Sequence, residues 1–212
     1  MENFIFQNPT KLVFGKGTIA RLGELIPAGK RVMVTFGGGS VRRNGVYDEV
    51  CAALAGRDTV EFWGIEPNPS IETLREAIAL GKEREVDFLL AVGGGSVIDG
   101  TKLIAAGLLY EGDAWEIVLK GKAGKTVPLA TVLTMSATGS EMNNGAVISR
   151  YETKEKYAFY GDYPVFSILD PETLYSLPVR QIACGLSDTF VHVLEQYMTT
   201  PGQSRLMDRW AE

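Results

Sequence analysis

The sequence contains few of the residues that most often mark a site. Its 212 residues include two cysteines and one histidine, and the formal net charge is −5. Cys51 and Cys184 lie far apart and lack C-x-x-C spacing, so we expect a reducing, cytoplasmic location with both thiols buried or idle. The acidic balance argues against nucleic acid or an anionic membrane as the main partner.

Long hydrophobic runs are also absent. No apolar stretch approaches the length of a membrane-spanning helix, and the N-terminal residues show neither the basic region nor the apolar core of a signal peptide. Hydrophobic residues make up 45% and charged residues 22% of the chain, as in an ordinary globular protein with a sizeable core. We therefore expect no membrane partner.

The sequence is organised around a strand, a glycine turn and a helix in direct succession. Residues 88–92 are an unbroken apolar run, typical of a strand buried on both faces of a parallel sheet. Three glycines follow at 93–95, and a helical pattern begins at Ser96. Such a turn can hold a phosphate, because glycine lets backbone N–H groups approach an anion and the helix N-terminus adds positive charge. We expect Ser96 to cap this helix and Asp99 to lie in its first turn.

The same Gly-Gly-Gly-Ser-Val pattern also follows a predicted strand at residues 37–41. Two copies in matching contexts indicate two phosphate-facing turns at one edge of a doubly wound sheet. The copy at 93–97 is not a G-x-G-x-x-G fingerprint, which would need glycine at Ile98, and it lacks the lysine of a P-loop. A tight turn without a ligand, or a coincidence of common glycine turns, is the alternative interpretation.

The remaining pattern alternates strands and helices, which predicts an α/β fold with a mainly parallel sheet. Further strands are expected at 4–6, 11–14, 31–36, 59–63, 127–133, 146–149, 156–160 and 165–169. Helices are expected at 17–26, at 46–54, and after an N-cap at Ser70. Residues 111–125 are polar and contain glycine, so we expect a surface excursion there.

The pattern changes near residue 180. A long helical pattern covers 181–199, and another begins at Ser204. We therefore predict a nucleotide-binding α/β domain over residues 1–180 and the beginning of an all-α domain over residues 181–212.

The single histidine, His192, lies four residues after Asp188 in the long helical pattern, so both side chains share one helix face. A carboxylate and an imidazole at this spacing can bind one divalent cation. Two ligands are too few for a catalytic metal site, and such a pair is more often simply solvated. The spacing alone leaves both interpretations open.

Four motifs in this order resemble the iron-containing (group III) alcohol dehydrogenases. They are GGGSVID at 93–99, TMSATGSE at 134–141, LDP at 169–171 and GLSDTFVHVLEQY at 185–197. The opening NPTKLVFG at 8–15 and the turn GGGS at 37–40 resemble the butanol dehydrogenase branch more narrowly. The resemblance extends over essentially the whole chain and matches the N-terminal portion of the family.

The resemblance implies a metal-dependent alcohol dehydrogenase or aldehyde reductase, a homo-oligomer such as a dimer, that acts on a small alcohol or aldehyde. The residues implied to hold the cofactor pyrophosphate are Gly94, Gly95, Ser96 and Asp99. Those implied to line the ribose and nicotinamide end are Thr134, Thr138, Asn143 and Lys156, with Asn68 and Thr173 as weaker candidates. Asp188 and His192 would be the first two ligands of a divalent metal, iron or zinc. Ser140 is assigned to ordinary turn chemistry.

The first glycine turn favours NADP over NAD as the cofactor. A site selective for NAD usually places a carboxylate near the adenosine ribose, whereas Gly38, Gly39 and Ser40 provide none. Arg42 and Arg43 follow, and an arginine fork suits a phosphate. Alternatively, both arginines are solvated in the first turn of a helix.

The family supplies two further histidine ligands from its second half, and this sequence has no histidine besides His192. We therefore expect a cofactor-binding half with an incomplete metal site and no activity as an isolated chain. The alternatives are a non-catalytic nucleotide-binding module, or a polyol dehydrogenase or lyase with the same two-domain plan.

Overall fold

The computed structural model describes residue 5 and residues 7–199 and 205–212. The predicted strand at 4–6 and the predicted helix start at Ser204 involve residues outside this set. The strands, in chain order, are β1 (Lys11–Phe14), β2 (Val32–Phe36), β3 (Thr59–Phe62), β4 (Phe88–Gly94), β5 (Leu129–Met135), β6 (Gly145–Arg150), β7 (Glu155–Tyr160) and β8 (Phe166–Leu169). The helices are α1 (Leu22–Leu25), α2 (Ser40–Arg43), α3 (Val46–Ala53), α4 (Ile71–Glu83), α5 (Gly95–Gly107), α6 (Ala114–Lys120), α7 (Val179–Thr199) and α8 (Arg205–Ala211).

The central sheet has six parallel strands in the order β1-β8-β5-β4-β2-β3. The predicted α/β class is therefore confirmed. Strand β2 pairs with β4, with Phe36 opposite Val92. From β2 the chain passes to β3 on one side, whereas from β4 it passes to β5 on the other. The carboxyl ends of β2 and β4 thus flank a topological switch point, where doubly wound sheets bind ligands.

Strand β4 is buried on both faces of the sheet. Its side chains alternate, as the two-residue period of a strand requires. Phe88, Leu90 and Val92 pack with α1 and α3, whereas Leu89 and Ala91 pack with α4, α5 and α6. The core therefore lies in two layers, one on each face of the sheet, and this explains the unbroken apolar run at 88–92.

Most predicted elements are confirmed, with shifts at their ends. Ser70 caps α4 as expected, because its hydroxyl accepts a hydrogen bond from the Thr73 N–H at 3.3 Å. The predicted helix at 17–26 is divided into a 3₁₀ turn, Thr18–Arg21, and the short α1. The long helical pattern at 181–199 lies within α7.

The expected surface excursion at 111–125 is wrong in its centre, which forms α6. Asp113 caps this helix by accepting the Trp115 N–H at 2.8 Å. Trp115, Ile117 and Val118 are buried in the core beneath α4 and α5. A short helix flanked by glycine and charged residues gives little periodic signal, so tertiary packing decides its position.

Strands β6 and β7 form a separate antiparallel hairpin rather than joining the central sheet. Hydrogen bonds from its backbone N–H groups hold it against α5, which follows the second glycine turn, and against the loop before α4. The Val147 N–H donates to the Asp99 carboxylate at 2.9 Å, and the Ser149 N–H donates to the Pro69 carbonyl at 2.9 Å. The hairpin therefore forms a wall beside the carboxyl edge of the sheet.

Of the two states expected for the thiols, buried or idle, burial is wrong, since Cys51 and Cys184 are free and exposed. An idle state stays a prediction. On α3 the buried positions are Val46 and Val50, so Cys51 falls outside the buried stripe of that helix. On α7 the buried residue is Gly185, and much of the helix surface is exposed. In the described part of the chain no helix has the length and apolar character needed to cross a membrane.

Candidate functional site

Four connections meet at the carboxyl edge of the sheet, because all its strands are parallel. The first glycine turn, 37–39, follows β2, and the second, 93–95, joins β4 to α5. The segment 136–139 follows β5, and a 3₁₀ turn, Pro171–Leu174, follows β8. The predicted site residues thus converge at one edge, as expected of a doubly wound fold.

A cavity of about 630 Å³ opens beside this edge, between the second glycine turn, the β6–β7 hairpin and α7. The predicted site residues that line it are Asn68, Gly95, Ser96, Asp99, Thr138, Asn143, Lys156, Asp188 and His192. Lining residues that were not predicted include Ser140, Asn144, Gly145 and Tyr160. The remaining predicted residues, Gly38, Gly39, Ser40, Gly94, Thr134 and Thr173, lie outside this lining.

The second glycine turn is packed too closely for side chains. A Cβ added at Gly93 would lie 2.5 Å from Cγ2 of Val97, and one added at Gly95 would overlap the Thr138 hydroxyl. The N-cap of α5 is Gly94, so the prediction that Ser96 caps this helix is wrong. The Ser96 hydroxyl instead accepts a hydrogen bond from the Asn68 N–H at 3.3 Å.

Asp99 lies beyond the first turn of α5, contrary to expectation, because the helix already begins at Gly95. Its Oδ1 accepts a hydrogen bond from the Ser140 hydroxyl at 2.6 Å, and its Oδ2 accepts one from the Val147 N–H. Burial raises the pKa of the Asp99 carboxyl, while these two hydrogen bonds oppose the rise. The carboxylate thus joins α5 to the two elements that face it across the cavity.

Lys102 is a buried cation that the sequence analysis missed. Four oxygen atoms surround its three N–H donors within hydrogen-bond distance: the Ser140 carbonyl at 2.8 Å and hydroxyl at 2.9 Å, Oδ1 of Asn143 at 3.0 Å, and the Gly145 carbonyl at 2.7 Å. Burial lowers its pKa to about 8, and the nearby carboxylates of Asp99 and Glu141 oppose the fall. A lysine inside an otherwise buried helix face was the available signal, because buried charges require partners.

Ser140 therefore has more than the turn role assigned to it. It lies between two charged groups, donating to Asp99 and accepting from Lys102. Asn143 holds the same loop, since its amide nitrogen donates to the Gly139 carbonyl at 3.0 Å and its Oδ1 accepts the Gly145 N–H at 3.0 Å. The loop after β5 is thus fixed to α5 by one connected polar network.

Asn68 and Lys156 meet across the mouth of the cavity, where the Lys156 ammonium donates to Oδ1 of Asn68 at 2.8 Å. Both side chains are exposed. The Thr173 hydroxyl is directed to the backbone instead, because it donates to the carbonyls of Leu133 and Asp170 at 3.0 and 2.8 Å. Thr173 thus ties the turn after β8 to the end of β5.

The first glycine turn is open. Gly39 has φ of 90°, a conformation that favours glycine, whereas Gly38 has no such requirement. An added Cβ would have no atom within 4 Å at either position. The protein's own packing therefore does not demand glycine at position 38, and the space above it is free for a ligand.

Asp188 and His192 bring a carboxylate and an imidazole to the cavity from α7. Oδ1 of Asp188 lies 3.8 Å from Nε2 of His192, and each side chain is about half exposed. Within residues 7–199 and 205–212 no group of three or more histidine, cysteine, aspartate or glutamate side chains could hold a metal ion. The chain thus offers two ligand side chains at this position.

The family of iron-containing alcohol dehydrogenases matches residues 9–171. This chain belongs to that family. The resemblance drawn from the four sequence motifs is therefore confirmed.

Several relatives in the iron-containing alcohol dehydrogenase family match over nearly the whole of this chain. The NADPH-dependent aldehyde reductase YqhD of Escherichia coli is 52% identical over 100% of the chain and 56% of its own length. A probable NADH-dependent butanol dehydrogenase of Bacillus subtilis is 50% identical over the same shares. The crystal structure of YqhD superposes with a TM-score of 0.95, covering 99% of this chain and 55% of that one.

The chain thus spans about half the length of the relatives it matches. A solved NADH-dependent butanol dehydrogenase A of Thermotoga maritima, 48% identical over 93% of the chain and 52% of its own, has a TM-score of 0.89. The names of these relatives include both NADPH and NADH. The cofactor preference of this iron-containing alcohol dehydrogenase chain must therefore be argued from its own residues.

Proposed function

We propose that this chain is the cofactor-binding half of an NADP(H)-dependent alcohol dehydrogenase or aldehyde reductase that acts on a small alcohol or aldehyde. The observation that carries the proposal is the placement of two glycine turns on adjacent strands, β2 and β4, the second of which lines a cavity together with Asp188 and His192. Membership of the iron-containing family supports the reaction class.

The second glycine turn fits a pyrophosphate. Gly95 lines the cavity at the start of α5, and this 13-residue helix directs the positive end of its dipole towards that end. The Ser96 hydroxyl lies at the same end and lines the cavity. Asp99 lies further along the helix and would support this pyrophosphate site by holding the Ser140 loop and the hairpin against α5.

The nicotinamide end would lie between the loop after β5 and the hairpin. Thr138 and Asn143 line this region from the loop, and Lys156 lines it from β7. Because Lys102 and Asp99 fix the loop, Thr138 and Asn143 are held in place before a ligand binds. Such preorganisation lowers the entropic cost of binding. Thr173 would contribute only through the backbone around it, because its hydroxyl is bonded to main-chain carbonyls.

The metal would be held by Asp188 and His192. Carboxylate and imidazole donors suit iron or zinc, but a catalytic zinc site usually has three protein ligands. We therefore propose that further ligands come from outside this chain. When bound, the nicotinamide would supply hydride transfer, and the metal would supply Lewis-acid polarisation of the substrate oxygen.

Calorimetric titration of the chain with NADPH and NADH tests the cofactor half of this proposal. We expect NADPH to bind, and we expect Gly95→Ala to weaken binding because the new Cβ would displace Thr138. Gly124→Ala is the matched control, since an added Cβ there meets no atom within 4 Å. A folded wild-type chain that binds neither nucleotide would refute the proposal.

Turnover of butanal with NADPH and added metal separates an enzyme from a non-catalytic nucleotide-binding module. The described residues contain no set of three metal ligands, which favours binding without turnover for the chain by itself. We expect nucleotide binding but little or no activity from this chain. Robust turnover that disappears in His192→Ala would show that this chain carries all the residues that the reaction requires.

A further inference from the structure

A stack of aromatic rings stands at the carboxyl ends of β2 and β3, next to the first glycine turn. The rings of Phe36 and Trp63 are parallel within 15°, with centroids 4.1 Å apart. Tyr47, on α3, contacts both rings at a steeper angle, with centroid distances of 5.7 and 5.5 Å. Phe36 is buried, whereas Trp63 is half-buried. The stack therefore leads from the core to the surface.

Arg42 completes this stack on the solvent side. Its guanidinium carbon lies 4.0 Å from the centroid of the Trp63 ring and 5.2 Å from that of Tyr47. Because Phe36 already covers one face of the indole at a similar distance, Arg42 must cover the other face. The guanidinium is thus held over an aromatic ring by a cation–π contact.

Glu61 holds two members of the aromatic stack, Trp63 and Tyr47, and leaves Arg42 free. Its carboxylate accepts the Trp63 indole N–H at 2.8 Å and the Tyr47 hydroxyl at 2.8 Å. The hydrogen bond to Glu61 is the main cause that raises the pKa of Tyr47 to about 12, so the phenol stays a donor at neutral pH. Among the described residues, the Arg42 side chain has no hydrogen-bond or ion-pair partner, and its in-plane N–H groups are available.

Hydrogen bonds between backbone groups place the aromatic stack next to the first glycine turn. The Gly64 N–H donates to the Gly37 carbonyl at 3.4 Å, and the Ile65 N–H donates to the Phe36 carbonyl at 3.1 Å. The Arg42 N–H donates to the Gly39 carbonyl at 3.2 Å. Trp63 and the Arg42 backbone therefore both lie beside the first glycine turn, where Gly38 leaves the backbone open to a ligand.

We propose that Arg42, held on Trp63, is the side chain that recognises the 2′-phosphate of NADP, and that Arg43 is not. This inference rests on the proposed function. A stacked guanidinium keeps its planar fork of donors, which matches the oxygens of a phosphate. Arg43 has no aromatic partner within the described residues, so it would lose more side-chain freedom on binding. Trp63 is a positioning residue that acts through Arg42.

Adenosine 2′,5′-bisphosphate and 5′-AMP differ only in the 2′-phosphate, so the ratio of their affinities isolates its recognition. We expect the wild-type chain to prefer the bisphosphate in calorimetric titrations. Arg42→Gln should lower that preference by roughly tenfold or more, as expected for loss of a charge-assisted hydrogen bond. Arg43→Gln is the matched control and should leave it nearly unchanged. Binding of 5′-AMP should be similar in all three proteins.

Trp63 provides a second readout that a merely structural role would not give. Trp63→Leu should reduce the preference by about threefold to tenfold through loss of the cation–π contact, and Trp63→Phe should retain part of it. The bisphosphate should change the tryptophan fluorescence of the wild-type chain, 5′-AMP should not, and Trp63→Phe should abolish the change. Inorganic phosphate is a further probe, and it should bind far more weakly than the bisphosphate.

The outcomes separate this inference from the function on which it rests. If the chain binds NADPH and prefers the bisphosphate, but Arg42→Gln retains that preference, the assignment to Arg42 is wrong and the proposed function stands. A loss of preference in Arg43→Gln would overturn it equally. Equal affinity for inorganic phosphate and the bisphosphate would indicate a general anion site. If neither NADPH nor NADH binds, both proposals fail.

Discussion

At the residue scale, Lys102 has the largest pKa shift in the candidate site, from an ordinary value of 10.5 to about 8. It is 1% exposed, yet four oxygen atoms lie within hydrogen-bond distance of its Nζ, which has three N–H donors. Removing one partner of such a buried network leaves the others unsatisfied, which is more damaging than losing an exposed ion pair. Lys102 therefore contributes both to the stability of the domain and to the shape of the cavity wall.

Lys102 also predicts a pH dependence of stability. Its folded pKa of about 8 lies below its ordinary value of 10.5, so between these pH values the unfolded chain retains a proton that the folded chain has lost. This difference makes the free energy of unfolding rise with pH in that window, by up to about 1.4 kcal/mol per pH unit for one proton. Below pH 8 both states are protonated and the contribution is constant.

Urea unfolding of the wild type and Lys102→Met at several pH values between 7 and about 10 measures this effect. The variant has no group to titrate at this position. We therefore expect the free energy of unfolding of the wild type, relative to that of the variant, to rise with pH above about 8. A difference that stays constant over this range would mean that folded Lys102 keeps its proton throughout.

The pair of Asp188 and His192 leads to a prediction about metal binding. Two side chains leave most coordination positions of a divalent cation to water, so we expect the chain to bind Zn²⁺ weakly in calorimetry. His192→Ala should abolish that binding, whereas Gln196→Ala, on the same helix, should preserve it. Tight binding that survives in His192→Ala would place the metal elsewhere.

At the scale of elements, α6 shows how a cap and a few apolar residues stabilise a short helix. Asp113 accepts the Trp115 N–H, and its Oδ2 also lies 2.7 Å from the Arg75 guanidinium. These contacts lower the pKa of Asp113, although burial opposes them. The helix in turn packs Trp115 against the core next to the β6–β7 hairpin, with its ring centroid 6.0 Å from that of Tyr157.

Asp113→Ala should lower the free energy of unfolding by about 1 kcal/mol, the usual cost of losing an N-cap. Asp113→Asn keeps a cap and loses the charge, so it should cost only a few tenths of a kcal/mol, in line with the small value of exposed ion pairs. Urea unfolding of both variants gives the comparison. Equal losses would mean that the contact with Arg75 matters more than the cap.

At the scale of the whole molecule, Asp188 and His192 reach the cavity because α7 approaches the loop after β5. Gly185, the buried residue of this helix, permits the approach, since an added Cβ would lie 2.8 Å from the Ser136 carbonyl oxygen. Asp188 and His192 lie within the next two turns of the same helix. The position of both ligand side chains thus depends on one close backbone contact.

Gly185→Val should move α7 away from the loop after β5, because a backbone carbonyl cannot give way as a flexible side chain can. We expect faster tryptic cleavage at Arg180, at the start of α7, and weaker NADPH binding. Gly124→Ala serves again as the control in open space. Unchanged cleavage in Gly185→Val would show that α7 docks through other contacts.

The division into an α/β domain over 1–180 and a helical domain over 181–212 stays a prediction, as do a dimeric state and the cytoplasmic location. The sequence by itself determined the strands of the central sheet, both glycine turns and the spacing of Asp188 and His192 on one helix face. These features depend on the periodicity of short segments and on the conformational freedom of glycine. Both can be recognised directly in the amino-acid sequence.

Only the tertiary structure decided which of these features meet. The pairing of β2 with β4 places the two glycine turns side by side, and the network of Lys102, Ser140 and Asp99 joins a helix to a distant loop. The contact of Arg42 with Trp63 likewise crosses from α2 to the end of β3. Such contacts follow from packing between residues that are far apart in the chain, and no local pattern specifies them.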